Sequence, residues 1–309
     1  MMLPNMVRVC LALMVVSLLV HSSSQERPLV VVTSTVLGSI VEDLAGDQVE
    51  VQVILNPALC PAHQDLKPSD VELVSRAELL LYHGFEPFVD RLVEAAGNKT
   101  VAVKVGGPWN TFEALKGKYR NISEILTEYL GLDVSGRLED CLQAIDRTEN
   151  EILSSIGELE PSRINVIVMA WQADFVKSLG FNVVATYPPP ERMSTGYISN
   201  LVSVGTEKNV QMVIDNLQSG VDVGREVANR IGAVHVILTN FPETSPGVEN
   251  VTMMLKYNAE TLKMALLTAE VKVELQKAQR KAETFLYLSL GLAAIVIVES
   301  LIIAVRMVK

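Results

Sequence analysis

The sequence predicts an α/β protein: two parallel-sheet lobes joined by a long rigid backbone helix, plus a C-terminal helix running into a transmembrane span. Three observations carry this. Short apolar runs alternate with stretches of helical spacing four times in each half of the chain, which is how a parallel sheet covered on both faces is written. Between the halves, Arg137 to about Leu159 has no Gly or Pro before Gly157, and Leu138, Leu142, Ile145, Ile152 and Ile156 form one buried stripe. After the second half, Asn258–Glu283 again lacks Gly and Pro and leads directly into the apolar run Phe285–Val305.

In chain order, residues 1–24 read as a signal peptide. Arg8 marks the n-region, Val9–Val20 the apolar run, and Ser22-Ser23-Ser24 the small residues for cleavage. An uncleaved anchor is the alternative. The first lobe (25–133) opens with strand Leu29–Val32 and a helix through Leu37, Ile40, Val41 and Leu44. Strand Val49–Leu55, helix Ser69–Arg76, strand Leu79–Tyr82, helix Pro87–Ala96 and strand Thr100–Val105 follow. The linking helix occupies 134–160. The second lobe (161–268) repeats the grammar with strands Ile164–Met169, Asn182–Ala185, Val210–Ile214 and Val234–Leu238. A helical stalk (269–284), a transmembrane helix (285–305) and a short tail (306–309) complete the chain. Arg306 and Lys309 place that tail in the cytoplasm and the folded body outside the cell. Three glycosylation triplets, at Asn98, Asn121 and Asn250, agree with that side. A single helix of roughly fifty residues is expected from Asn258 onward.

Composition narrows the function. With a net charge of −10 over 309 residues, nucleic acid is not an expected partner. Cys10 lies in the leader, so Cys60 and Cys141 are left, and nothing favours a bridge between them. No G-x-S-x-G, H-E-x-x-H or phosphate-cradling glycine loop is present, so the chain is not read as an enzyme.

In open α/β sheets the ligand sits beyond the carboxyl ends of the strands. Those ends nominate Thr33–Thr35, Cys60 and His63, His83-Gly84, Gly106–Trp109, Trp171-Gln172, Tyr187, Asp215-Asn216 and Asn240. Cys60 and His63 share a loop stiffened by Pro57, Pro61 and Pro68. Thiolate and imidazole suit zinc, nickel, cobalt or copper better than manganese or calcium. His83 is a third candidate metal ligand, with Glu86 or Asp215 as further donors. Trp109, Trp171, Gln172, Asp215 and Asn240 are the candidate ligand-lining residues. Each has a bland alternative. His63 could cap its loop, Cys60 could be a small buried hydrophobe, His83 could pair with Glu86, and the tryptophans could simply pack. Asp215 and Asn240 could be N-caps. His235, within AVHVIL, reads as a satisfied strand histidine. Glu299, inside the apolar span, is expected to face a partner helix or stay protonated.

These residues resemble the zinc/manganese-type solute-binding proteins of ABC transporters over most of 28–268. The resemblance rests on LGSIVEDLAGD, on the block CPAHQDLKPSDVELVSRAELLLYHGFEPFVDRL, and on the closing YNAETLKMAL. The family's first metal ligand corresponds to His63 in Pro61-Ala62-His63. Its other ligand places fall at Gly107-Pro108-Trp109, at Trp171 and near Asn240, so this chain resembles a membrane-anchored variant with most of the usual metal ligands replaced. The resemblance implies an extracytoplasmic, single-pass protein that captures a transition metal or metal complex between its lobes and delivers it to a permease. Two versions follow: a moved site at Cys60, His63 and His83, or an indole box around an organic cation or chelated metal with His63 as a direct contact. A sensory or interaction module on the same scaffold is the alternative from another class.

Overall fold

The computed structural model describes residues 27–307, so the expected signal peptide and the last residues of the tail lie outside the described residues. The first lobe runs β1 (Leu29–Val32), α1 (Thr35–Ala45), β2 (Glu50–Val53), α2 (Pro68–Arg76), β3 (Leu79–Tyr82), α3 (Val89–Ala95) and β4 (Val101–Lys104). Its sheet has the order β2-β1-β3-β4, every pair parallel. The second lobe runs β5 (Asn165–Met169), α6 (Ala173–Ser178), β6 (Asn182–Tyr187), α7 (Thr195–Glu207), β7 (Met212–Asn216), α8 (Asp222–Ile231) and β8 (Val234–Leu238). Its order, β6-β5-β7-β8, is the same plan, again all parallel. Two helices lie between the lobes: α4 (Phe112–Leu130) and α5 (Ser135–Gly157).

Helix α4 fills a stretch to which the strand–helix grammar assigned no element. Its local logic is plain. Thr111 caps it by accepting from Ala114 N at 3.2 Å. Phe112, Leu115, Tyr119, Ile122 and Leu126 bury one face, and Gly131 ends it in the left-handed region at φ 66°.

Strand residues of both parities are buried, as a doubly covered sheet requires. Val30 and Val32 face inward toward a core that continues through Ile145, Ile152 and Ile156 of α5 to Val166 and Val168 of the other sheet. Val31 and Leu80 face the opposite side and pack under α2 and α3 with Val74, Phe88 and Leu92. Ile167 and Val213 do the same in the second lobe, under Leu201, Val227 and Ala228. The lobes therefore share one continuous apolar core along the linking helix. That continuity opposes a wide hinge between them.

The last helix, α9 (Val251–Met307), is one uninterrupted rod of 57 residues. Its first turns bury Val251, Leu255, Leu262 and Leu266, and Ala269 is the last position enclosed by the lobe. Beyond it the helix stands free, and it is the one described helix long and apolar enough to cross a membrane by length and composition. The Glu299 side chain is outside the described residues.

Candidate functional site

At the β1/β3 boundary successive connections leave the sheet on opposite sides, and the same holds at β5/β7. Each sheet thus opens a crevice at its carboxyl edge, and the two crevices face one another. Between them lies a pocket of about 540 Å³, inside the range of roughly 300–1,000 Å³ usual for small-molecule sites. Phe85, Pro108 and Trp109 supply one wall; Trp171, Asn240 and Phe241 supply the other. Cys60, Ala62, Trp171 and Arg192 also border a second, smaller pocket of about 210 Å³, which reaches His63 and Glu191.

The lobes are bonded directly across this cleft. Trp109 Nε1 donates to Asn240 O at 2.8 Å, and Asn110 Nδ2 donates to Trp171 O at 2.6 Å. Gln218 Nε2 donates to Pro57 O at 2.9 Å, while Thr35 Oγ1 donates to Pro242 O at 3.1 Å.

Behind the first-lobe wall lies a buried polar cluster. Glu86 Oε1 accepts from Thr33 Oγ1 at 2.6 Å and from His83 N at 3.0 Å. Its Oε2 accepts from Gly84 N at 2.7 Å and Phe85 N at 3.0 Å. Glu86 is thus a loop-folding carboxylate whose lone pairs are occupied. His83 stacks on Phe85 (centroids 5.1 Å apart) and on Trp109 (4.4 Å). Its Nε2 lies 2.8 Å from Ser34 Oγ, and its buried Nδ1 has no partner. Burial first, then the charge of Lys118, holds its pKa well below the usual histidine value.

Lys118, from α4, is almost wholly enclosed. Its ammonium donates to Val105 O and Gly106 O, each at 3.1 Å, and sits 5.4 Å from the Trp109 ring centroid. Burial pulls its pKa down to about 8, with the Glu86 charge acting the other way. In the unfolded chain a lysine titrates near 10.4. Above pH 8 the unfolded state therefore binds more protons than the native state, and stability rises with pH. Between pH 7 and 9.5 this one group should add about 2 kcal/mol. The half-buried Cys141 thiol, which burial pushes up to about 11, acts oppositely from about pH 8.5 and offsets part of the rise. The difference between the native protein and a Lys118 variant therefore isolates the lysine. Buried Tyr119 and Tyr187, whose pKa values burial raises, oppose it only above that window. Chemical denaturation at several pH values should show the rise in the native protein and its loss in Lys118→Met.

The structure separates the expected metal ligands. Cys60 lines the main pocket. His63 does not; its side chain is 60% exposed on the rim, 3.9 Å from Glu191. His83 lies behind Phe85 and Trp109 rather than on the pocket surface. Among the described residues no group of three or more His, Cys, Asp or Glu is gathered as a metal cage. The physical reason is that stacking and Ser34 already hold His83, while the proline-braced loop carries His63 outward. Cys60 and Cys141 are both free thiols.

Of the expected lining residues, Trp109, Trp171 and Asn240 are on the pocket surface. Gln172 is not. It is fully buried one layer back, where its Nε2 donates to Asn240 Oδ1 at 2.9 Å. Asp215 is also enclosed: it accepts from the Tyr187 hydroxyl, and its Oδ2 is 2.7 Å from His235 Nε2. Its register on β7 points it under α8 rather than into the cleft, and His235 is indeed a partnered strand histidine. Phe85, Asn110, Arg192, Gln218 and Phe241 were not among the expected lining residues. Arg192 follows the triple proline Pro188-Pro189-Pro190 after β6, a loop signal that could have nominated it.

Comparison with known proteins agrees with this architecture. Residues 30–123 match the family model described as zinc-uptake complex component A, periplasmic. An uncharacterized protein of Rickettsia prowazekii is 32% identical over 73 residues, a match spanning 23% of this chain and 24% of that protein. Among solved structures, the periplasmic zinc binding protein TroA from Treponema pallidum superposes with a TM-score of 0.68 at 16% identity, over 78% of this chain and 99% of that one. A crystal structure of ZnuA gives 0.64 at 19% identity, over 77% and 98%. The Mn-bound periplasmic metal binding protein from Candidatus Liberibacter asiaticus gives 0.66 at 12% identity, over 78% and 100%. Low identity over nearly the whole of these chains shows a shared fold, and the family model places the first lobe independently. This chain therefore has the two-lobed fold of the metal-type solute-binding proteins, and its first lobe matches their zinc-uptake family model.

Proposed function

We propose that the protein is a membrane-tethered, extracytoplasmic substrate-binding protein of a metal-type ABC uptake system. It takes up a transition metal, zinc foremost, within a small organic chelate and passes it to a permease. The observation that carries this is the interlobe pocket of about 540 Å³, walled by Phe85, Trp109, Trp171 and Phe241 and lacking a gathered ligand cage among the described residues. A bare hydrated ion would fill such a space poorly. A planar complex would bury its faces against the aromatic rings. Cys60 on the pocket wall, with His63 at the adjoining rim, would supply the protein's own donors to an open position on the metal.

The test is equilibrium dialysis of the full chain in detergent, with metal analysis, against zinc alone and against zinc bound to small planar chelators. Saturable uptake of a chelate, weakened roughly tenfold or more by Trp171→Ala, is expected. Near-stoichiometric binding of zinc alone would instead favour a bare-ion site at Cys60, His63 and His83. A second reading, a sensory or interaction module, draws on the hydrogen bonds that already join the lobes through Trp109 and Asn110. It expects no thermal shift from any metal or chelate.

A further inference from the structure

The two walls of the main pocket differ in chemistry. The first lobe presents mainly hydrocarbon and ring surface, Phe85, Pro108 and Trp109 with Pro61 and Ala62 at the entrance, beside the Cys60 thiol and the Asn110 amide that donates to Trp171 O. Trp109 spends its only N–H on Asn240 O. The second lobe presents Trp171 and Phe241 together with a larger share of polar groups, and those deepest in the cleft are already committed. Gln218 donates to Pro57 O and Thr239 Oγ1, and its Oε1 accepts from Asn216 Nδ2 and Asn240 N. Asn216 Oδ1 accepts from Ser219 N and Oγ. Asn240 Oδ1 accepts from Gln172.

What remains uncommitted on this wall is mainly donors. The Trp171 Nε1–H, the Asn240 Nδ2 amide and the Arg192 guanidinium make no hydrogen bond or ion pair with the described residues, although each residue lines the pocket. They come from three separate loops, after β5, β8 and β6, and converge on one cavity. Arg192 also borders the smaller pocket, so its charge stands at the junction of both spaces. Asp174 is the one carboxylate on the main wall, and it forms no ion pair with Arg192 that would neutralise the guanidinium.

We infer that the cleft selects an aromatic or heteroaromatic carboxylic acid, free or as the metal's chelator. The ring lies against the Phe85–Trp109 wall, and the carboxylate is gripped by Arg192 and Asn240. This rests on the capture reading above and deepens it by naming the ligand's charge and shape. Guanidinium and carboxylate match as a planar, two-point pair, and the stacked rings hold a planar π-face. A cationic ligand would meet a guanidinium instead of a cage, and an acid without a ring would leave the apolar wall wet.

The test uses quenching of the two tryptophans in the full chain in detergent. The probes are picolinate, its zinc complex, benzoate, pyridine, benzylamine and zinc chloride. Picolinate and benzoate should bind saturably, at least roughly tenfold more tightly than pyridine or benzylamine. Arg192→Gln should remove that preference, with its thermal unfolding unchanged because the side chain is exposed. Asp174→Asn should tighten the acids severalfold and loosen benzylamine, a charge signature that a merely structural role would not give. Equal binding of pyridine and picolinate, no effect of Arg192→Gln, or no saturation by any acid would each overturn the proposal. If the zinc complex still bound in the first two cases, the capture reading would survive without the acid. Binding of zinc chloride alone, with no organic probe bound, would sink both.

Discussion

Glu86→Ala is expected to lower the unfolding free energy by about 4 kcal/mol, because one carboxylate holds an entire turn. The amides of His83, Gly84 and Phe85 and the Thr33 hydroxyl all donate to it. Removing the side chain strands these donors in a site where Glu86 itself is only 6% exposed. Each buried donor left without an acceptor costs about 1–3 kcal/mol. The partly exposed Gly84 and Phe85 amides would recover some of that from water. The turn carries Phe85 into the cleft and His83 behind Trp109, so ligand binding should fall together with stability. Glu86→Gln keeps the shape but turns one acceptor into a donor facing donors, and should cost less than alanine yet more than 1 kcal/mol. Denaturant titration would measure both. A loss below 1 kcal/mol for the alanine variant would show that the turn is held by something else.

Gly224→Ala should destabilise by about 3 kcal/mol, for a steric reason. A Cβ on Gly224 would lie 2.2 Å from Asp215 Oδ2 and 2.5 Å from its carboxyl carbon. Asp215 cannot step aside without releasing the Tyr187 hydroxyl and His235, both of which bond to it. Helix α8 must therefore lift from β7, or the buried network must break. Alanine normally favours a helix over glycine by about 1 kcal/mol, so the sign is itself diagnostic. A thermally stabilised Gly224→Ala protein would contradict the close approach of α8 to Asp215.

Much of the fold is legible in the sequence, because parallel strands buried on both faces leave unbroken apolar runs such as Leu29–Val32 and Leu79–Tyr82. The linking helix likewise declares itself through one stripe, Ile145, Ile152 and Ile156. Helix α4 lies outside that alternation of strand and helix, although Phe112, Leu115, Tyr119 and Ile122 have ordinary helical spacing. At the site, strand ends nominate segments but not directions. Gln172 follows Trp171 directly in sequence, yet one is enclosed and the other is 44% exposed. Asp215 and Asn216 are both fully buried, yet only Asn216 borders the pocket. Local spacing does not encode that difference, since it depends on where a neighbouring helix or lobe closes over each position. Lys118 was invisible for the same reason. In sequence it is an ordinary lysine in an amphipathic helix, and only the fold brings the Val105 and Gly106 carbonyls to it.

The single rod α9 has a consequence for how the lobes would be presented in the membrane-tethered reading. From Ala269, the last position held by the lobe, to Phe285, where the apolar run begins, a straight helix rises about 24 Å. With no joint in between, altitude and compass bearing are both set by residue count. Two extra residues in the stalk would swing the cleft about 200° around the bilayer normal while raising it only about 3 Å, whereas seven would raise it about 10 Å and return it almost to its starting azimuth. A receiver embedded in the same bilayer would therefore notice the first insertion far more than the second.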